Sequence, residues 1–149
     1  MRSVFVDTDV ILDLFVRREP HHTMALKLFS HLRRSKAKCV TSAVVVANLY
    51  YLLAKLRNKR YALERIRRLR RLVGVAAIDE AAVDAALAAP HKDFEDTLQY
   101  QCAVRNDIPT LITRNTGDFP KDRITVVNPT DYLDMVAREK TGKHNKSLE

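Results

Sequence analysis

Short apolar runs alternate with longer amphipathic stretches along the chain, and this alternation predicts strands and helices in turn. The predicted strands cover residues 4–6, 38–41, 75–78, 110–112 and 124–127. The predicted helices cover residues 10–15, 21–32, 42–56, 60–72, 80–89, 91–106 and 130–138. With neither repeats nor a linker, this order predicts one α/β domain, residues 1–138, with helices on both faces of a parallel sheet. Residues 139–149 are polar and basic, and we expect a flexible tail there.

The first predicted strand ends at a carboxylate. Val4, Phe5 and Val6 form a buried apolar run, and Asp7 follows them directly. In open α/β sheets, ligands bind beyond the carboxyl ends of the strands, so Asp7 is a candidate site residue. Taken alone, it fits a helix cap equally well. Later elements also end in acidic or polar residues, and this repetition favours a site.

Two further acidic positions occur where the predicted topology would bring them to the same edge. Asp93 and Asp96 open a helix and share one of its faces, although the helix dipole alone also favours acids in a first turn. Asp118 follows the strand at 110–112. Carboxylates that converge must either be protonated or bind cations. Mg²⁺ or Mn²⁺ prefers such oxygen ligands and can activate water for phosphodiester hydrolysis.

The charge balance points to a polyanionic partner. The chain has 26 lysines and arginines against 18 acids, a formal net charge of +8. This excess favours nucleic acid without specifying it. The helix predicted at 60–72 carries an arginine-rich face, which fits either simple solvation or contact with phosphates. The neighbouring His21 and His22 would point to different sides of a helix, so they are a poor metal-binding pair.

Several other chemistries lack their sequence signals. The chain has only three glycines and no glycine-rich phosphate loop, so dinucleotide binding and P-loop chemistry are excluded. Its two cysteines, Cys39 and Cys102, lie in apolar segments without metal or redox spacing, and we expect buried free thiols. The chain shows neither a signal-peptide pattern nor an apolar run of membrane-spanning length. A cytoplasmic protein is therefore expected.

Four segments taken in order resemble a PIN domain, and most closely the VapC-like branch of toxin–antitoxin pairs. They are residues 4–10 (VFVDTDV), Thr41-Ser42 leading into the helix of Asn48, residues 93–99 (DFEDTLQ) and residues 113–119 (TRNTGDF). The resemblance implies a three-layer α/β/α, Rossmann-like fold with four or five parallel strands. It also implies an endoribonuclease that depends on Mg²⁺ or Mn²⁺ and hydrolyses RNA. An antitoxin partner would block the site, and homodimers are usual in this family.

The resemblance also implies roles for individual residues. Asp7, Asp96 and Asp118 would be the catalytic metal ligands, directly or through water; Thr8 and Asn115 would shape the site, and Thr113 would support it. Asn48 stands where the family normally has a glutamate, and its amide brings neither a charge nor a base. Asp93 and Glu95 are the candidates for the missing carboxylate. Asp9 is expected to be structural, as a cap, and Asp13 as a surface or turn residue.

The position of Asn48 keeps a second interpretation open. The chain could be a PIN module that binds nucleic acid or a protein partner and has weak catalysis or none. A DNA-directed nuclease would differ only in its substrate, and the residues by themselves do not separate RNA from DNA. If RNA is bound, the candidate contacts are Arg67, Arg68, Arg71 and Arg114.

Overall fold

A computed structural model describes the backbone of residues 2–148 and the side chains of residues 2–142. The strands are β1 (Ser3–Val6), β2 (Lys38–Ser42), β3 (Gly74–Ala76), β4 (Thr110–Ile112) and β5 (Thr125–Val127). The helices are α1 (Thr8–Phe15), α2 (His21–Arg34), α3 (Ala43–Leu56), α4 (Lys59–Arg70), α5 (Glu80–Ala88), α6 (Phe94–Arg105) and α7 (Pro129–Leu148). A short 3₁₀ helix, Thr116–Asp118, lies between β4 and β5.

The five strands form one parallel sheet in the order β3-β2-β1-β4-β5. Val4 of β1 pairs with Cys39 of β2 on one side and with Thr110 of β4 on the other. The chain therefore builds outward from β1 in one direction, then returns to add β4 and β5 in the other. The reversal between β1 and β4 is the topological switch point, the place where open α/β sheets bind ligands.

The helices pack in two groups, which gives the three-layer α/β/α fold that the sequence predicts. Helix α1 contacts α2 and α3, α3 contacts α4, and α2 contacts α7; α5 contacts α6. Strand β1 lies at the centre, and its Phe5 and Val6 are completely buried, as are Leu111 and Ile112 of the neighbouring β4. Burial of this apolar layer on both faces holds the sheet rigid beneath the loops at its carboxyl edge.

The predicted strands and helices are all present, and the differences lie at their ends. Helix α1 begins at Thr8 rather than at residue 10, because Asp7 caps it. Strand β3 covers Gly74–Ala76 rather than residues 75–78, and Asp79, which follows the predicted strand, is the N-cap of α5. Helix α7 runs on to Leu148, past the potential stop signals Gly142 and Asn145, and no proline follows Arg138 to end it. It thus includes most of the segment expected to be a tail, of which Glu149 lies outside the described residues.

Two further expectations can be compared with the structure. Cys39 and Cys102 are buried free thiols, as predicted. No helix within residues 2–148 is both long and apolar enough to cross a membrane.

Candidate active site

Asp7 occupies the switch point between β1 and β4. It is the N-cap of α1, and only 7% of its surface is exposed. Its Oδ1 accepts a hydrogen bond from the backbone N–H of Thr8 at 2.8 Å, and its Oδ2 accepts one from the Thr113 hydroxyl at 3.0 Å. Because β1 and β4 are adjacent, the residues that follow them meet here. Thr113 therefore supports the carboxylate, which is the role the resemblance implies for it.

Asp9 links α1 to the segment that follows β4. Its Oδ2 accepts hydrogen bonds from the backbone N–H of Arg114 at 3.0 Å and the Asn115 amide at 3.2 Å, with the Thr113 hydroxyl at 3.4 Å. Its Oδ1 is buried and has no hydrogen-bond partner in the part of the chain that the structure describes. The expectation that Asp9 is a cap is wrong, because Asp7 fills that position. Sequence reasoning missed Asp9 as a site residue, although its spacing of two from Asp7 was available as a signal.

Asp96 and Asp118 approach this edge from two other elements. Asp96 lies in the first turn of α6 and is half-buried. Asp93 is the N-cap of that helix, and its carboxylate accepts a hydrogen bond from the backbone N–H of Asp96 at 3.0 Å. Asp118, also half-buried, ends the 3₁₀ helix. Lys92, which the sequence did not single out, joins the two segments by donating a hydrogen bond to the carbonyl of Gly117 at 3.2 Å.

The carboxylates act on one another electrostatically. Burial raises the pKa of Asp7 to about 7, and the charges of Asp9 and, more weakly, Asp96 add to the effect. Burial also raises the pKa of Asp96 to about 6, with contributions from Asp93, Asp118, Glu95 and Asp9 in that order. The pKa of Asp9 is raised as well, again mainly by burial. The predicted ligands thus belong to one electrostatic cluster.

The carboxylates of this cluster do not close around a single point. Among the side chains of residues 2–142, no three acids, histidines or cysteines are placed to hold one metal ion between them. This spacing leaves room for water between the carboxylates and an ion. Mg²⁺ characteristically keeps several of its waters, so the arrangement suits a hydrated cation rather than a tight cage of protein ligands.

Asn48 reaches the helix that carries Asp96. It lies in the second turn of α3, half-buried, and its side-chain amide donates a hydrogen bond to the carboxylate of Glu95. At the start of the same helix, the hydroxyl of Ser42, the N-cap of α3, donates to the Oε1 atom of Gln99 at 2.6 Å. These two bonds fix the start of α3 against the start of α6. They place Glu95, one of the candidates for the missing acid, where its charge acts on Asp96.

The candidate RNA-binding arginines lie away from the acids or are already paired. The Nε of Arg114 lies 2.8 Å from the carboxylate of Asp13. Asp13 is 4% exposed, so the expectation of a surface or turn residue is wrong: the ion pair compensates its burial. Arg68 and Arg71 border a cleft of about 600 Å³ beside Cys39 of β2. The approach to β2 and the end of α4 form this cleft, which places it toward the amino-terminal edge of the sheet. The exposed Arg67 lies on the same helix.

The sequence of residues 3–117 matches the family model described as "PIN domain". The chain belongs to the PIN domain family. Among curated relatives of this PIN domain is Ribonuclease VapC1 of Aquifex aeolicus (strain VF5). The two are 29% identical over 137 residues, which cover 89% of this chain and 94% of the relative.

Solved structures share the fold of this PIN domain at lower identity. A toxin–antitoxin complex from Klebsiella pneumoniae contains a chain with a TM-score of 0.65 and 22% identity, covering 85% of this chain and 97% of that one. For VapBC-1 from nontypeable Haemophilus influenzae, the TM-score is 0.63 and the sequence identity 17%. The match covers 86% of this chain and 98% of that one. VapC20 of Mycobacterium tuberculosis is described as a sarcin-ricin loop cleaving toxin. Its TM-score is 0.60 and its sequence identity 20%, and the match covers 72% of this chain and 86% of that one. The predicted family and fold are confirmed.

Proposed function

We propose that this PIN domain is an endoribonuclease that requires Mg²⁺ or Mn²⁺ and acts as the toxin of a toxin–antitoxin pair. The observation that carries the proposal is the buried Asp7 at the switch point of the sheet, with further acids near it; burial first, and then the charge of Asp9, raises its pKa to about 7. Such an arrangement is costly for a protein without a bound cation, because like charges are held together out of water. The ribonuclease name of the Aquifex aeolicus relative supports RNA as the substrate.

The side chains fit a hard divalent cation. The carboxylates named above offer oxygen ligands, and the buried Oδ1 of Asp9 has no hydrogen-bond partner among the described residues. Asp7, Asp96 and Asp118 would hold the ion directly or through water, with Asp93 and Glu95 adding negative charge nearby. When bound, Mg²⁺ or Mn²⁺ would supply an activated water and stabilise the leaving oxygen of the phosphodiester.

The chain's own residues prepare the site for that cation. The Thr113 hydroxyl and the Thr8 N–H fix the two oxygens of Asp7, so the carboxylate needs no reorganisation when charge develops. At neutral pH, Asp7 without an ion is about half protonated, since its pKa is about 7. Cation binding should therefore release protons as the cluster ionises. Lys92, beside Gly117, offers a positive charge at the rim of the acidic site for an RNA phosphate.

The proposal includes partners and a location. Several of the structural relatives are described as toxin–antitoxin or VapBC assemblies, which supports an antitoxin partner for this chain. We also propose that the chain forms a homodimer, as the resemblance implies, and that it is located in the cytoplasm, as the sequence predicts. The exposed Tyr51 and Leu56 of α3, with 66% and 62% of their surfaces accessible, are apolar groups that such partners could cover.

The direct test is cleavage of a labelled structured RNA by the purified chain with Mg²⁺, with Mn²⁺ or with EDTA. We expect cleavage by the wild type with either metal, none with EDTA, and none by Asp7→Asn. The Asp7→Asn variant must keep its fold, which circular dichroism checks. A matched DNA of the same sequence separates an RNase from a DNase.

The second candidate function is a binding module with little or no catalysis, and the uncharged Asn48 favours it. In that case the wild type would bind RNA or a protein partner without cutting several RNAs, and Asp7→Asn would leave the affinity for RNA unchanged. Asn48→Glu would also remain inactive. This set of results would overturn the nuclease proposal.

A further inference from the structure

We propose that Asp9 is a further cation-binding carboxylate of this site, directly or through water, as well as the residue that ties α1 to the segment after β4. The inference rests on the proposed metal dependence and extends it to a residue that the sequence assigns to structure alone. One oxygen of the side chain would hold the protein together, and the other would serve the ion.

The hydrogen bonds of Asp9 are unevenly divided between its two oxygens. Oδ2 receives all of the donors, from Thr113, Arg114 and Asn115. Oδ1 is buried and receives none. If Asp9 is ionised, Oδ1 is an anionic oxygen without a partner; if it is protonated there, the O–H has no acceptor. Either form leaves a buried polar group unsatisfied, at a typical cost of about 1–3 kcal/mol. A cation, or one of its waters, would satisfy it.

The charge of Asp9 acts on both sides of the acidic cluster. It is the largest charge effect on the pKa of Asp7, and it also contributes to the raised pKa of Asp96. The geometry places Asp9 beside Asp7, since the Thr113 hydroxyl lies 3.0 Å from Oδ2 of Asp7 and 3.4 Å from Oδ2 of Asp9. An ion shared by Asp7 and Asp96 would therefore be attracted by Asp9 as well.

A purely structural tether would not need this charge. The side-chain carbonyl of an asparagine could accept the same donors from residues 113–115, at a lower electrostatic cost beside Asp7. Asp9→Asn is thus a nearly isosteric test, since it keeps the tether and removes only the charge. Asp134→Asn, on the exposed side of α7, removes the same charge outside the acidic cluster and is the matched control.

The experiment is a titration of each purified variant with Mn²⁺, in which the free ion is followed by electron paramagnetic resonance. The melting temperature is measured in parallel with EDTA and with Mn²⁺. We expect Asp9→Asn to weaken Mn²⁺ binding about tenfold or more, within the range seen when groups around a metal are lost. Its melting temperature in EDTA should equal or exceed that of the wild type, and Asp134→Asn should match the wild type throughout.

Two kinds of failure are distinguishable. If the wild type binds Mn²⁺, Asp7→Asn does not, and Asp9→Asn binds as tightly as the wild type, then Asp9 is only a tether while the metal-dependent function stands. If the wild type itself binds no Mn²⁺, the proposed metal dependence fails, and this inference fails with it. Asp9→Ser, which also removes the charge, gives the same comparison if Asp9→Asn does not fold.

Discussion

The side-chain amide of Asn48 on α3 donates a hydrogen bond to the carboxylate of Glu95 on α6. Asn48 brings no charge of its own, but its amide orients the charged carboxylate of Glu95 on the neighbouring helix. Because Glu95 acts on the pKa of Asp96, the pair connects α3 to the acidic cluster without a carboxylate on α3 itself.

Replacing Asn48 by glutamate should first cost stability. Asn48→Glu removes the donor and sets two carboxylates against each other. We expect the free energy of unfolding in EDTA at pH 8 to fall by about 1 kcal/mol. Combining it with Glu95→Gln should recover most of the loss, since the new amide can donate back to the new carboxylate. Urea denaturation of both single variants and the double variant measures the coupling, and strictly additive effects would show that the two side chains do not interact.

Stability without metal should fall as the pH rises from about 4 to about 7. Between these values the folded chain keeps a proton on Asp7 that the unfolded chain has released, because the pKa of Asp7 is raised from 3.8 to about 7. The folded state binds more protons in this window, so its stability declines as the pH rises and levels off above it.

The variant Asp7→Asn should remove much of that slope. We expect it to be more stable than the wild type in EDTA at pH 8 by on the order of 2–3 kcal/mol, since the buried charge is gone. Saturating Mg²⁺ should stabilise the wild type and not the variant. Thermal unfolding from pH 4 to 8 measures both effects, with Asp84→Asn as an exposed control on α5. If the stabilities of the wild type and Asp7→Asn in EDTA change with pH in the same way, the pH dependence does not come from Asp7.

The ion pair between Arg114 and Asp13 should matter for folding rather than for RNA binding. Arg114→Met leaves the buried Asp13 without its partner, and we expect the free energy of unfolding to fall by about 3 kcal/mol. Arg67→Met, on the exposed face of α4, should change it by less than about 0.5 kcal/mol. If Arg114→Met unfolds like the wild type and instead weakens RNA binding, the arginine contacts substrate.

Positive charges at the two edges of the sheet should affect RNA cleavage unequally. Lys92→Gln removes the cation beside the 3₁₀ helix, and we expect kcat/KM to fall by about tenfold, with a shallower dependence on salt. The double variant Arg67→Gln, Arg71→Gln removes two charges from the end of α4, where Arg71 borders the cleft beside Cys39 rather than the acidic site. Its kcat/KM should stay within about twofold of the wild type. Equal losses in both proteins would place α4 on the RNA path.

The sequence predicts the fold well because its signals are local. Buried apolar runs such as residues 4–6 and 110–112 mark the strands, and caps such as Ser42 mark the helix starts. The end of α7 could not be predicted in this way: Thr141, Gly142 and Asn145 are weak helix formers, and the contact between Arg2 and Glu139 joins residues far apart in sequence.

The site could be predicted only in part, because its contacts are long-range. The acids that follow strands are visible as a pattern, and Asp7, Asp96 and Asp118 fall in one electrostatic cluster. No local pattern indicates that Asp13 is buried against Arg114, about one hundred residues later, or that Asp9 binds the same segment. Helix α1 is mainly apolar, and its two acids, Asp9 and Asp13, look solvent-exposed until β4 and its following turn are placed beside them.

The order in which the sheet is built has a consequence for synthesis. The first acids of the cluster lie in residues 7–9, whereas Asp96 and Asp118 enter the chain only after α5 and β4, respectively. Strand β4 pairs directly with β1, so the switch point cannot form while that strand is still being translated. A chain growing on the ribosome therefore has an incomplete acidic cluster until Asp118 has been added. For a protein proposed to cut RNA, this delay would separate the making of the enzyme from the start of its activity.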